Sequence, residues 1–127
     1  MAKILIVDDS ADSSEVLAVY FRSEGHEVTC APNGREALSV ILSHTNTPDV
    51  ILLDLVMPEM DGSSFLEVVR SYLRIHSLPV VVLTGISDSP MIDRVQSLKV
   101  NSVLAKTKAT PEEVLKAIDE ALIRHPG

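Results

Sequence analysis

Five short runs rich in Val, Ile and Leu recur along the chain: KILIV (3–7), EVTCA (27–31), DVILL (49–53), PVVVL (79–83) and SVLA (102–105). Their length and residue types suit strands, and continuous rather than alternating apolarity marks strands covered on both faces. Longer segments of helical period lie between them. Val16, Leu17 and Tyr20 share one face, as do Ala37, Leu38, Ile41 and Leu42, then Phe65, Leu66, Val69 and Leu73, and last Val114, Leu115, Ile118 and Leu122. Gly25 stands where a first helix should stop, and Thr110-Pro111-Glu112-Glu113 is a capping box with proline at the first helical position. The segment from Ser89 to Leu98 offers only Met91, Ile92, Val95 and Leu98 as apolar residues, so its helix should pack thinly and be the most mobile. Strict alternation of strand and helix predicts the α/β class: a doubly wound, five-stranded parallel sheet with five helices.

At 127 residues the chain suits a single domain, 1–127, with one core and neither repeat nor linker. The 18 acidic side chains against 11 basic ones give a net charge of −7, which repels a phosphate backbone and an anionic membrane. The few aromatic residues, Tyr20, Phe21, Phe65 and Tyr72, read as core or helix-face residues rather than a stacking platform for nucleic acid. Protein or metal partners fit this charge balance better. Cys30, the single cysteine, lies inside an apolar stretch and allows no disulfide framework, which points to a reducing compartment. No apolar run reaches the roughly 18 residues of a membrane span, and MAKILIVDD turns acidic where a signal peptide would stay apolar. The expected location is cytoplasmic. His26, His44, His76 and His125 have no ligand partner at suitable spacing and read as surface residues.

In a parallel sheet the carboxyl ends of the strands share one edge, where ligands of such folds bind. Asp8 and Asp9 close the first strand, Asp54 the third, Thr84 the fourth and Lys106 the fifth. Carboxylates gathered so closely raise one another's pKa and destabilise the fold, which calls for a cation. Mg²⁺ suits an oxygen-only, partly hydrated site. Taken singly, each residue has a plainer reading: Asp8, Asp9 or Ser10 as a helix cap, Asp54 as a solvated strand end, Thr84 as a turn hydroxyl, Lys106 as a surface charge. Their common placement by an independently inferred topology argues against all of these being true together. Glu59 and Asp61, in Met-Pro-Glu-Met-Asp-Gly, read instead as turn and cap residues, with Asp61 capping the next helix.

With these motifs, ILIVDD, LLDLVMPEMDG, VVLTG and a strand ending in Lys106, the sequence resembles the receiver domain of two-component response regulators over essentially its whole length. The resemblance implies a flavodoxin-like receiver fold and a regulatory phosphoacceptor rather than a free-standing enzyme. It makes Asp54 the nucleophile that takes a phosphoryl group from a histidine kinase, a phosphotransfer protein or a small phosphodonor. Asp9 and Asp54 would bind Mg²⁺ directly with the backbone carbonyl of Val56, and Asp8 through water. Lys106 would pair with Asp54 and then a phosphoryl oxygen, Thr84 would move to the phosphoryl group, and Gly85 would leave the donor access. Partner choice would rest on the first helix (Asp12, Ser13, Glu15, Val16) and on the face of helix four, strand five and helix five. A homodimer formed on phosphorylation is among the partners the resemblance allows; the kinase, the pathway and the downstream target are not named by it. Met1 at the head of the chain favours an N-terminal receiver, whether alone or leading a longer regulator.

Three positions depart from the family pattern. Lys106 is followed by Thr107 where proline in a cis peptide is usual, so a trans bond or a rearranged loop is expected. Val103 stands where an aromatic switch residue is usual. Lys99-Val100 replaces a Gly-Ala pair, which should shift the left-handed residue to Asn101. Val56 and Ile86, apolar where polar groups could guide a hydrolytic water, predict a long-lived phosphoaspartate. These departures motivate one rival, a receiver-shaped interaction module independent of phosphate; against it, such a module has no physical need for clustered carboxylates. A dinucleotide fold lacks its Gly-x-Gly-x-x-Gly, since Asp8-Asp9-Ser10 follows the first strand, and a haloacid-dehalogenase-type phosphatase lacks its second Asp, the position being Val56.

Overall fold

In the computed structural model, which describes residues 1–43, 47–57, 60–72, 78–85 and 90–124, each of the five apolar runs forms a strand. They are β1 (Lys3–Val7), β2 (Glu27–Ala31), β3 (Val50–Leu53), β4 (Val80–Thr84) and β5 (Ser102–Ala105). All pair in parallel, in the order β2-β1-β3-β4-β5. The helices are α1 (Ala11–Ser23), α2 (Gly34–Leu42), α3 (Gly62–Glu67), which runs on into a π-helical turn over Val68–Tyr72, α4 (Pro90–Gln96) and α5 (Pro111–Arg124). The doubly wound parallel sheet expected from the alternation of periods is therefore the fold, and it has the flavodoxin-like form that the resemblance implies.

Two apolar layers follow from the period of two along each strand. Leu5, Val7, Leu53 and Val82 face Ala37, Ile41, Phe65, Leu66 and Val95 on the α2, α3 and α4 side. Ile4, Ile6, Leu52 and Val81 face Leu17, Phe21, Val114 and Ile118 on the α1 and α5 side. Phe21 and Phe65, one in each layer, are wholly buried, and each stabilises the fold by about 1.5–3 kcal/mol through area removed from water. Only β1, β3 and β4 are buried along nearly their whole length. The edge strand β2 is largely exposed and β5 is half-buried, so Cys30 is exposed rather than enclosed in apolar surroundings.

Helix ends are set by the residues that the sequence singles out, with one addition. Ser10 caps α1, accepting from Ser13 N–H, and Asn33 caps α2, accepting from Glu36 N–H. Gly25, at φ +92°, donates to Arg22 O while His26 N–H donates to Phe21 O, the paired bonds of a Schellman ending. Thr110 N–H donates to Glu113 Oε1 over 2.9 Å and Glu113 N–H to Thr110 Oγ1 over 3.1 Å, which completes the capping box.

The face of α1 needs correction. It buries Ser14, Leu17, Ala18 and Phe21, while Val16 is 61% exposed, because the i, i+3, i+4, i+7 stripe is centred one position away from the one expected. Leu42 likewise points outward at the end of α2. His26 is partly buried and its Nδ1 accepts the Ala2 N–H over 3.1 Å, so it is a structural residue and not a free surface one. The remaining histidines, 44, 76 and 125, lie outside the described residues, as do Leu73, Ile86 and Glu59. α4 buries a single side chain, Val95, in keeping with its sparse apolar content.

Candidate functional site

Strand register brings the predicted residues together. Val7 pairs with Leu53, Leu53 with Val82, and Thr84 with Ala105, so the tips of β1, β3, β4 and β5 end at one level. Backbone bonds fix the residues just beyond. Asp54 N–H donates to Val7 O over 2.9 Å, Asp8 N–H to Ala31 O over 3.1 Å, and Lys106 N–H to Thr84 O over 2.8 Å. Asp8, Asp54 and Lys106 therefore leave from positions held by backbone bonds to a neighbouring strand rather than from free loops.

Asp8, Asp9 and Asp54 each present a carboxylate oxygen, and these oxygens all lie within 4.8 Å of one another. Asp8 and Asp54 are buried and Asp9 is exposed. Lys106 reaches over the cluster, with Nζ 2.7 Å from Asp8 Oδ2 and 3.6 Å from Asp54 Oδ2. Burial pushes the Asp54 carboxyl up, the Lys106 ammonium opposes this, and the charges of Asp8 and Asp9 add to the rise, leaving it above the usual carboxylate range. Burial works against the Lys106 charge as well, yet its hydrogen bond to Asp8 and the charges of Asp54 and Asp8 hold the ammonium above its usual range. A hard divalent cation fits this donor set: three clustered carboxylates, one of them open to water, with a single ammonium, that of Lys106, paired to them among the described residues.

The remaining predicted residues surround that cluster. Thr84 is buried at the tip of β4. Gly85 follows it in the open, and a Cβ there would meet nothing within 4 Å, so packing does not require glycine. Val56 is 54% exposed at the rim, its N–H 3.5 Å from Asp54 Oδ1. Val103 is half-buried against the α2, α3 and α4 layer. The Lys106–Thr107 bond is trans, one of the two outcomes expected, and Lys106 reaches the acids without a cis peptide.

The turn before β5 differs from expectation. The left-handed residue is Lys99, at φ +64°, and not Asn101. Asn101 is occupied otherwise: its N–H donates to Val80 O over 2.8 Å and its Oδ1 accepts Val80 N–H over 3.0 Å, pinning the entry of β4 to that of β5. The strain at Lys99 is held by the buried Arg70, whose guanidinium donates to Leu98 O over 3.0 Å and to Lys99 O over 3.3 Å. Nothing in the spacing of the sequence marks Arg70, which acts across 28 residues.

Asp61 caps α3 as expected, accepting from Ser64 N–H and from Ser63 Oγ, each over 2.8 Å. Burial pushes its carboxyl up, but these bonds prevail and hold it below the usual range. Gly62 is required for a reason the turn motif alone does not carry: a Cβ there would lie 2.6 Å from Asp54 O and 2.7 Å from Leu55 Cα.

A flavodoxin-like sheet with an acid cluster, a threonine and a lysine at its carboxyl edge defines the class of small α/β domains built around a strand-tip carboxylate. Within that class the chain belongs to the response regulator receiver domain family, whose model matches residues 4–119. It is similar to the chemotaxis protein CheY4 of Vibrio cholerae, at 30% identity and a TM-score of 0.84 over 95% of this chain and 98% of that one. The receiver domain of Francisella response regulator 1452 is similar at 28% identity and TM-score 0.84, over 98% of each chain. A CheY-like receiver domain protein from Methanospirillum hungatei JF-1 is similar at 25% identity and TM-score 0.88, over 98% of this chain and 96% of that one. The family supports a phosphoacceptor role in a response regulator, a regulatory function and not that of a conventional enzyme. No described helix is long and apolar enough to cross a membrane.

Proposed function

We propose that Asp54 accepts a phosphoryl group from a phosphohistidine of a kinase or phosphotransfer protein, or from a small phosphodonor, in a Mg²⁺-dependent reaction that switches the binding of a downstream protein. The observation that carries this reading is the convergence of the Asp8, Asp9 and Asp54 carboxylates beneath the Lys106 ammonium. An Asp54 oxygen forms a bond to phosphorus as the bond from phosphorus to the donor's nitrogen or oxygen breaks; a departing imidazole nitrogen takes up a proton from water, whereas a departing carboxylate such as acetate leaves as the anion. Asp9, Asp54 and the carbonyl of Val56 would hold Mg²⁺, with Asp8 acting through water, and the cation would supply neutralisation of the transferring oxygens. Lys106 adds a second positive charge, and its pairing with Asp8 and Asp54 keeps it at the cluster. Thr84 offers a hydroxyl to the phosphoryl group once it is in place, and the open space at Gly85 admits the donor.

Intact-mass spectrometry after incubation with Mg²⁺ and acetyl phosphate, beside Asp54→Asn, tests the reading. One added phosphoryl group is expected, absent without Mg²⁺ and absent in the variant. No adduct at short times, low temperature or with other phosphodonors would overturn it in favour of a phosphate-independent interaction module.

A further inference from the structure

Gly62 begins α3 directly on the phosphoacceptor's own backbone. Its N–H donates to Leu55 O over 2.9 Å, and the space a side chain would need is already filled by Asp54 O and Leu55 Cα. No side-chain layer lies between, so a shift of the Asp54 segment must displace the first turn of α3.

Polar contacts lead from that turn to α4. Asp61 Oδ1 accepts Ser63 Oγ over 2.8 Å, Arg94 of α4 donates through one guanidinium nitrogen to Ser63 Oγ over 3.3 Å, and through another it pairs with Glu67 of α3. At the far end of α3, the buried Arg70 donates to the carbonyls of Leu98 and Lys99, in the turn that leaves α4. One arginine from each side thus ties α3 to the body and to the exit of α4. Burial does little to fix α4 independently, since Val95 is its one buried residue against four in α1. Arg94 and Glu67 are each about half exposed, so their bonds add little to global stability and can rearrange without unfolding the domain.

We propose that α3 is the link through which the state of Asp54 sets the position of α4, with Ser63 and Arg94 as positioning residues. The inference rests on Asp54 being the phosphoacceptor and adds the route by which its modification is felt at a distance. By linkage, a protein that holds α4 changes the phosphorylation equilibrium at Asp54 by the same factor.

Hydrogen–deuterium exchange over residues 90–98, with the adduct mass read on the same samples, tests the link in the parent, Arg94→Met, Ser63→Ala and Arg94→Lys. In the parent, phosphorylation should change protection of α4 by roughly fivefold or more. Arg94→Met and Ser63→Ala, which break the link from opposite sides, should carry the same adduct while the change falls to within roughly twofold of none. Arg94→Lys should retain part of it. A merely structural role would raise exchange equally in both states and leave the difference intact; that result, or a phosphorylated parent with no change in α4, overturns the inference. A parent without adduct overturns the phosphoacceptor reading itself, and the inference with it.

Discussion

Lys106 Nζ donates to Asp8 Oδ2 over 2.7 Å, joining residues 98 apart in sequence across the mouth of the acid cluster. Asp8 is 5% exposed, so this ammonium answers a carboxylate that water scarcely reaches. Lys106→Met should cost about 1–3 kcal/mol in urea unfolding at neutral pH, the cost of leaving a buried charged group unsatisfied. The folded-state pKa of Lys106 is raised, so its contribution is complete below the ordinary value of 10.5 and is lost as pH rises through the higher folded value. The difference between parent and variant should close in that alkaline window.

For Asp54 the pH dependence has the same sign but falls in an acidic window. Its folded pKa lies above the ordinary 3.8, so between the two values the native state holds the proton that the unfolded chain releases, and stability falls as pH rises through that window. Asp54→Asn should therefore melt higher than the parent at neutral pH without metal, and its advantage should disappear below pH 3.8. Mg²⁺ at about 100 times its dissociation constant should stabilise the parent by about 2.7 kcal/mol and the variant by less. Identical melting with and without Mg²⁺ would remove the metal site.

Gly62→Ala drives a methyl carbon to 2.6 Å from Asp54 O. Relief requires movement of backbone on one side or the other, at a cost of about 1–3 kcal/mol. Denaturant unfolding should show that loss. Acetyl phosphate should label the variant at least about tenfold more slowly, because displacement of the nucleophile spoils its alignment.

Lys99 holds a left-handed backbone at φ +64°. That conformation costs a residue with a Cβ roughly 1–2 kcal/mol, part of which glycine returns as unfolded-state entropy. Lys99→Gly should raise stability by about 0.5–1 kcal/mol by thermal unfolding. A loss would mean that the lysine side chain contributes contacts outweighing the strain.

The exposed Val56 side chain forms an apolar rim beside Asp54. Val56→Asn should shorten the lifetime of the aspartyl phosphate, followed by decay of the adduct mass after the donor is removed, since an amide can hold a water in line with phosphorus. An unchanged lifetime would dismiss the rim as the determinant.

The five strands, their parallel pairing and the edge at which Asp8, Asp9, Asp54, Thr84 and Lys106 meet were readable from the sequence, because strand period, run length and capping residues are local signals. Helix caps at Gly25, Asp61 and Thr110 were legible for the same reason. The rest depended on packing: the strand order, which stripe of α1 turns inward, that β2 is an exposed edge, and that Lys99 instead of Asn101 takes the left-handed turn. Each of those outcomes depends on a partner distant in the chain. Arg70 lies 28 residues from the carbonyl it holds at Leu98, and Arg94 lies 31 from the Ser63 hydroxyl it meets. Local periodicity carries no record of such pairings, which are selected by packing only after the sheet has formed.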